Sequence, residues 1–331
     1  MDPQQHSAHQ PTVTQTTGIS GPNTLNQNPW ERWRWDWQSR NNALHWALRN
    51  FMHWSPGHYR ETPAGHQALK GLPPEAIDLG NTLLDCYGLK HLPQRASEQR
   101  VLETLTYLHW LDQIFQQHPH FFQGLTSCQP DAGQPFRWLD VGAKNWAYVE
   151  ALDGFIRQQL SKNADKAKLL APVAETSAPT YELDGVELDP HRRYTNLQTR
   201  AQAAQAFIQH LPHAAYHAGA IQQWQQPADI ISLFLPFVFE EPHLAWGLPL
   251  NHFAPQALLN HLLDLLAPGG LLIVVNQGEV EAKAQASLWS QVQAAHPNLR
   301  LQIESLGQLD APFIEYRYPR MGWLCQKQPV H

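Results

Sequence analysis

Cysteine is scarce in this chain of 331 residues: only Cys86, Cys128 and Cys325 occur. They are odd in number, far apart and include no Cys-x-x-Cys pair, which favours free buried thiols in a reducing compartment over a disulfide frame or a cysteine zinc site. Long hydrophobic runs are missing too, so no membrane span is expected. The first residues lack the basic segment and apolar core of a secretory signal, and the expected localisation is cytoplasmic. Basic charge is also short. With 23 Lys and Arg against 29 Asp and Glu the net charge is −6, whereas a general nucleic-acid binder carries a basic footprint. Histidine is plentiful, at 19 residues, but it is scattered and forms no His-Glu-x-x-His motif, so no metal site is expected.

What is present divides the chain into three. Residues 1–28 are polar and rich in Pro, Gly, Thr and Gln, which predicts a disordered tail. Residues 29–130 read as a helical, Trp-rich cap. In it Trp30, Trp33, Trp37, Leu44, Leu48 and Phe51 recur at three-to-four spacing, the mark of an amphipathic helix. Two functions suit such a helix, a membrane-surface anchor or an aromatic ligand platform. The simpler expectation is that the aromatics dock it onto the rest of the protein. Helices are also predicted at residues 72–89, opened by prolines, and at 97–117, where Ser97 is a candidate N-cap. The polar run at residues 126–135 reads as a linker.

From residue 136 the pattern alternates between strand and helix, as in an α/β sheet covered on both faces. Strands are expected at residues 136–141, 181–188, 214–217, 229–239, 271–275, 299–306 and 313–325, the last two as an antiparallel closing hairpin. Helices are expected after residue 142 and at 192–211, 253–266 and 280–295, with a polar connection at 161–180. The stretch at residues 136–152, FRWLDVGAKNWAYVEAL, stands out. A strand ending in Asp140-Val141-Gly142 and feeding a helix leaves backbone N–H groups free to meet an anion or a ribose.

Four stretches, in order, resemble the class I S-adenosylmethionine-dependent methyltransferases over about residues 135–328: LDVGAKN, DGVELDP, ADIISLFLPF and LAPGGLLIVVNQG. The resemblance implies a seven-stranded, mostly parallel Rossmann-like sheet with an antiparallel last strand, preceded by the helical cap. It implies S-adenosyl-L-methionine as cofactor, held by Asp140, Gly142, Lys144, Asn145, Glu187, Leu188, Ala220 and Leu235. Glu187 stands where the family's strand-two acid takes both ribose hydroxyls, a bidentate contact. The sequence departs from the family where Lys144 and Trp146 replace the second and third glycines of the turn. A side chain there either crowds the ligand or, for Lys144, pairs with its carboxylate. The acid usually found near the adenine is replaced by Ala218-Gly219-Ala220.

Candidates for the acceptor side are Glu240, Glu241 and His243 after the fourth strand, and Asn276, Gln277 and Glu279 after the fifth. Of these Glu240, His243 and Asn276 are the catalytic candidates, with general-base chemistry suited to Glu240, Glu241 and His243. Arg317, Tyr318 and Arg320 form a late basic cluster that either binds an acidic substrate or guards a sheet edge. Arg192 or Arg193 would suit a dinucleotide phosphate, but the turn lacks the Gly-x-Gly-x-x-Gly cradle. The expected function is methyl transfer to a small molecule or other cytoplasmic acceptor. The alternative is a non-catalytic binding or structural module that keeps the fold.

Overall fold

The computed structural model describes residues 29–52, 62–120, 135–170 and 181–328. The expected tail, and the linker save for Pro135, lie outside the described residues. The strands are β1 (Phe136–Val141), β2 (Tyr181–Glu187), β3 (Ala214–Ala218), β4 (Ala228–Phe234), β5 (Leu266–Gln277), β6 (Leu301–Leu309) and β7 (Arg320–Lys327). They form one seven-stranded sheet in the order β3-β2-β1-β4-β5-β7-β6. The first four pairings are parallel, and β7 runs antiparallel to both β5 and β6. This is the mostly parallel sheet with a reversed last strand that the resemblance implied. The apolar runs of β4 and β5 sit at its centre, buried on both faces as parallel strands require.

Helices cover both faces. Residue alternation sends Trp138, Ile230, Ile273 and Val275 into one core with helix α5 (Glu98–Gln117) and helix α6 (Val149–Leu170). Leu139, Ile231, Leu272 and Val274 enter the other core with helices α9 (Pro255–Leu265) and α10 (Gly278–Ala295). Ser97 caps α5 as expected, its hydroxyl accepting from the Arg100 N–H. Helix α3 (Pro74–Cys86) starts at a proline, whose missing N–H costs nothing there.

Several boundaries differ from the sequence expectation. The connection expected at 161–180 is helical to Leu170, where α6 ends, and the rest lies outside the described residues. The helix expected from residue 192 begins at Arg200, as α7 (Arg200–Ile208), because Thr199 and Gln202 form a reciprocal capping box that satisfies the free N–H groups there. Strand β4 stops at Phe234 rather than 239: Leu235 turns to φ 58, and its N–H reaches the Val275 carbonyl at 2.7 Å. The last strand starts at Arg320, not 313, since residues 310–319 form a proline-containing loop.

The N-terminal helices α1 (Pro29–Ala47) and α2 (Arg49–Met52) correct a further expectation. They dock through polar side chains and Trp46, whose ring meets His252, and not through the aromatic stripe expected to do so. Asn42 is buried and donates to the carbonyls of Leu244 and Leu248 at 2.9 and 3.0 Å, Gln38 donates to Leu244, and Ser39 accepts from the Leu250 N–H. Trp33, Trp37, Leu44 and Phe51 face outward. Among the described residues no helix is long and apolar enough to cross a membrane.

Candidate functional site

In an open α/β sheet ligands bind beyond the carboxyl ends of the strands, where strand order reverses. Here that point lies between β1 and β4, and the turn after β1 occupies it. Gly142 has φ 79, Lys144 φ 58 and Trp146 φ 53. All three glycine positions of the family's turn are therefore left-handed, two of them with side chains that strain there by about 1–2 kcal/mol each.

Surrounding contacts hold that shape. The Trp146 indole points inward, fully buried against Gly185 of β2, and its Nε1–H donates to Asp140 Oδ2 at 2.9 Å. It does not crowd the ligand side. The Lys144 N–H donates to Glu187 Oε2 at 2.7 Å, and Tyr216 of β3 donates to the Lys144 carbonyl at 2.6 Å. Gly142 is exposed, and no heavy atom lies within 4 Å of where its Cβ would be. The space over the turn is open.

Asp140 does not face that space. It is fully buried and accepts from Trp146, from the Tyr148 hydroxyl at 2.8 Å and from Ser232 of β4, which itself accepts from Trp138 Nε1. Burial pushes its pKa up to about 7, against the pull of those three donors. Its evident work is to tie the turn to β4.

Glu187, at the end of β2, is buried in a charged network. Oε2 accepts the Lys144 N–H, while Oε1 accepts both the Asp189 N–H and Arg200 Nη1, which leaves a further acceptor direction on Oε2. Arg200 lies 3.5 Å from Glu187 and 3.6 Å from Asp189, and Arg192 Nε lies 2.7 Å from Asp189. Burial opposes the Arg200 charge, but Glu187 and Asp189 outweigh it and raise its pKa. Arg192 falls to about 10, through burial and the neighbouring Arg200. Lys144 is likewise lowered by burial, with Glu103 of α5 and Glu187 supporting its charge. Arg192 is therefore spent on Asp189 and on the Trp246 carbonyl, and Arg193 donates to Leu197.

The remaining candidates scatter. Asn145 is buried in the turn, while Leu188 and Ala220 are half-buried at the ends of β2 and β3. Leu235 lies on the turn that ends β4. Glu240, Glu241 and His243 lie on the short helix α8 (Glu240–Ala245), and Asn276 at the far end of β5. His243 is buried between the Phe237 and Phe253 rings, bonds the Pro249 carbonyl at 3.0 Å and has a pKa lowered by burial. Asn276 is buried, and among the described residues neither of its amide atoms has a hydrogen-bond partner. Gln277 and Glu279 flank the start of α10, and Arg320 stacks on Tyr316 at 3.9 Å.

Two features escaped the sequence reading. One is the Asp189–Arg200 part of the network, signalled only by the second acid two residues after Glu187, on the same side of an extended chain. The other is the aromatic group above β1 and β4. Tyr107 of α5 stacks on Tyr148 at 3.8 Å and meets Phe234 edge-on at 4.9 Å. A cavity of about 330 Å³ opens elsewhere, beside Tyr181 at the start of β2, among His91, Arg95, Glu150 and His210. It lies at the opposite end of the strand from Glu187.

The N–H groups of Gly142, Ala143, Lys144 and Trp146 are engaged within the chain, so the turn does not offer them to an anion as its sequence suggested. Its open side at Gly142 and the further acceptor direction of Glu187 Oε2 suit the ribose of an S-adenosylmethionine-type ligand. The adenine side, at Ala218-Gly219-Ala220, offers backbone only.

No family model matches the chain, and no curated protein matches it. Among solved structures, the N-methyltransferase NodS from Bradyrhizobium japonicum is similar at 13% identity and TM-score 0.35, over 66% of this chain and 98% of its own. An S-adenosylmethionine-dependent methyltransferase from Clostridium acetobutylicum is similar at 10% identity and TM-score 0.39, over 68% and 92%. The plantazolicin methyltransferase BamL is similar at 9% identity and TM-score 0.35, over 89% and 98%. At such scores the fold assignment rests on the sheet itself. By its strand order and its reversed β7, the chain has the Rossmann-like fold of the class I S-adenosylmethionine-dependent methyltransferases, with a divergent glycine-rich turn.

Proposed function

We propose that this protein binds S-adenosyl-L-methionine at the turn after β1 and transfers its methyl group to a small molecule or other cytoplasmic acceptor. The observation that carries this reading is the left-handed backbone at Gly142, Lys144 and Trp146. Strain of this kind persists where surrounding structure enforces it, and it concentrates at ligand-holding turns. When bound, the cofactor supplies an electrophilic sulfonium methyl. The chain's part is to hold the ribose on Glu187, to meet the ligand carboxylate with the Lys144 ammonium, and to keep water away. Tyr107, Tyr148 and Phe234 offer an apolar wall beside the transfer point. In such a reaction positioning and desolvation supply much of the rate, so no base is required of Glu240 or His243 and no catalytic contact of Asn276.

Calorimetry with S-adenosylhomocysteine tests the reading. Wild type is expected to bind, and Gly142→Val to lose at least tenfold in affinity, since its side chain would occupy the open space at a strained φ. Absence of heat with wild type would sink the proposal.

The second reading is a binding module without turnover. It is favoured by the three donors of its own chain that already surround Glu187. Ligand binding with no labelled methyl passed to any component of a small-molecule extract would select it.

A further inference from the structure

The N-terminal helix pair is mounted with its apolar side outward. At about 100° per residue, Trp33, Trp37, Leu44, Leu48 and Phe51 fall within an arc of about 60° on α1 and its continuation α2. Their exposures are 56%, 60%, 60%, 44% and 77%. The docking side chains Gln38, Asn42 and Trp46 lie on the opposite side, where Asn42 holds two carbonyls and the Trp46 ring meets His252 at 4.9 Å. Because specific buried hydrogen bonds anchor that side, the outward stripe is a fixed part of the fold. It runs for roughly 27 Å from Trp33 to Phe51, whereas scattered single apolar residues are the norm on a surface.

Charge indicates what covers it. Arg34 and Arg40 flank the stripe within about 40° on either side. The acids Glu31 and Asp36 lie further round the helix. All four are exposed. The whole chain carries −6, so a local pair of arginines beside three-to-four spaced tryptophans is set against its background. An anionic bilayer would accept both features, since indole rings settle at headgroup depth and arginines meet lipid phosphates.

We propose that the outward stripe of α1 and α2 docks this protein onto an anionic lipid surface, lying in the interface plane without crossing it. The docking is independent of any ligand at the turn after β1.

Flotation of the full chain tests this, using vesicles of phosphatidylcholine alone and of phosphatidylcholine mixed equally with phosphatidylglycerol. Wild type is expected to rise with the mixed vesicles and far less with the neutral ones. Trp33→Glu with Trp37→Glu is expected to stay at the bottom, and Arg34→Gln with Arg40→Gln to lose about fivefold per arginine. The replaced side chains face solvent, so circular dichroism and Tm of both variants should match wild type, which separates lost docking from lost folding. The proposal is overturned if wild type does not float or if the variants float equally well. It is also overturned if a dimer forms without vesicles and dissolves on replacing the two tryptophans, which would make the stripe a contact between copies.

Discussion

The Trp146 ring is pressed against the backbone of Gly185: a Cβ on Gly185 would come within 2.7 Å of Trp146 Cε2. The indole cannot yield, because it is fully buried and its Nε1 is tied to Asp140. Gly185→Ala should therefore destabilise the protein by about 1–3 kcal/mol and lower Tm. A variant that melts like wild type would mean that the indole is not held there.

The two side chains that replace glycines should respond to restoration with opposite signs. Lys144→Gly relieves a left-handed residue whose side chain is half-buried, and should stabilise by up to about 1 kcal/mol. Trp146→Gly relieves the same strain but empties a buried indole site, and should cost about 3–5 kcal/mol. Urea denaturation of both variants checks the contrast. Equal effects would contradict the inward placement of Trp146.

Asp140 should make stability fall as pH rises. Its pKa goes from an ordinary 3.8 to about 7 in the fold, chiefly by burial. The folded state therefore holds a proton that the unfolded chain has released, and this advantage disappears between about pH 4 and about pH 7, up to roughly 4 kcal/mol in all. Asp140→Asn removes the titration while keeping an acceptor for Trp146 and Tyr148. Denaturation midpoints for the two proteins at about pH 5 and about pH 8 should diverge, with wild type losing more. Parallel pH profiles would refute the shift.

Glu150 of α6 joins the N-terminal helices to the sheet region. It is buried and pairs with Arg95, with Arg100 at 2.9 Å and with His210 at 2.8 Å. Glu150→Gln removes the carboxylate that pairs with the buried Arg100 guanidinium and should cost about 3 kcal/mol. Replacing both Glu150 and Arg100 by Met should recover most of that loss, because two apolar side chains bury no charge. A single-variant cost within about 0.5 kcal/mol would show the pair to be as weak as a surface one.

Much of this architecture was readable from residue order because it is set by local periodicity. The apolar runs of β4 and β5, the Ser97 cap of α5 and the proline start of α3 are each decided within a few residues. Boundaries failed where a local signal was overridden. Arg192 and Arg193 read as a helix start, yet Arg192 is drawn to Asp189 and to the Trp246 carbonyl, and the capping box at Thr199 sets the true beginning. The Trp stripe shows the same division. Its spacing announced an amphipathic helix, but Asn42 decided which side met the protein by reaching carbonyls more than 200 residues away.

The turn at residues 140–146 marks the boundary between the two kinds of information. The sequence alone determined that a strand ends at Asp140-Val141-Gly142, that an acid follows at Glu187 and that two glycines of the family turn are missing. It could not determine whether Lys144 and Trp146 abolish the turn, because backbone strain is resolved by partners that are distant in the chain. Only the tertiary structure supplied them. Gly185 leaves room for the indole, Glu187 receives the Lys144 N–H, and Ser232, 92 residues from Asp140, helps hold the carboxylate that anchors Trp146.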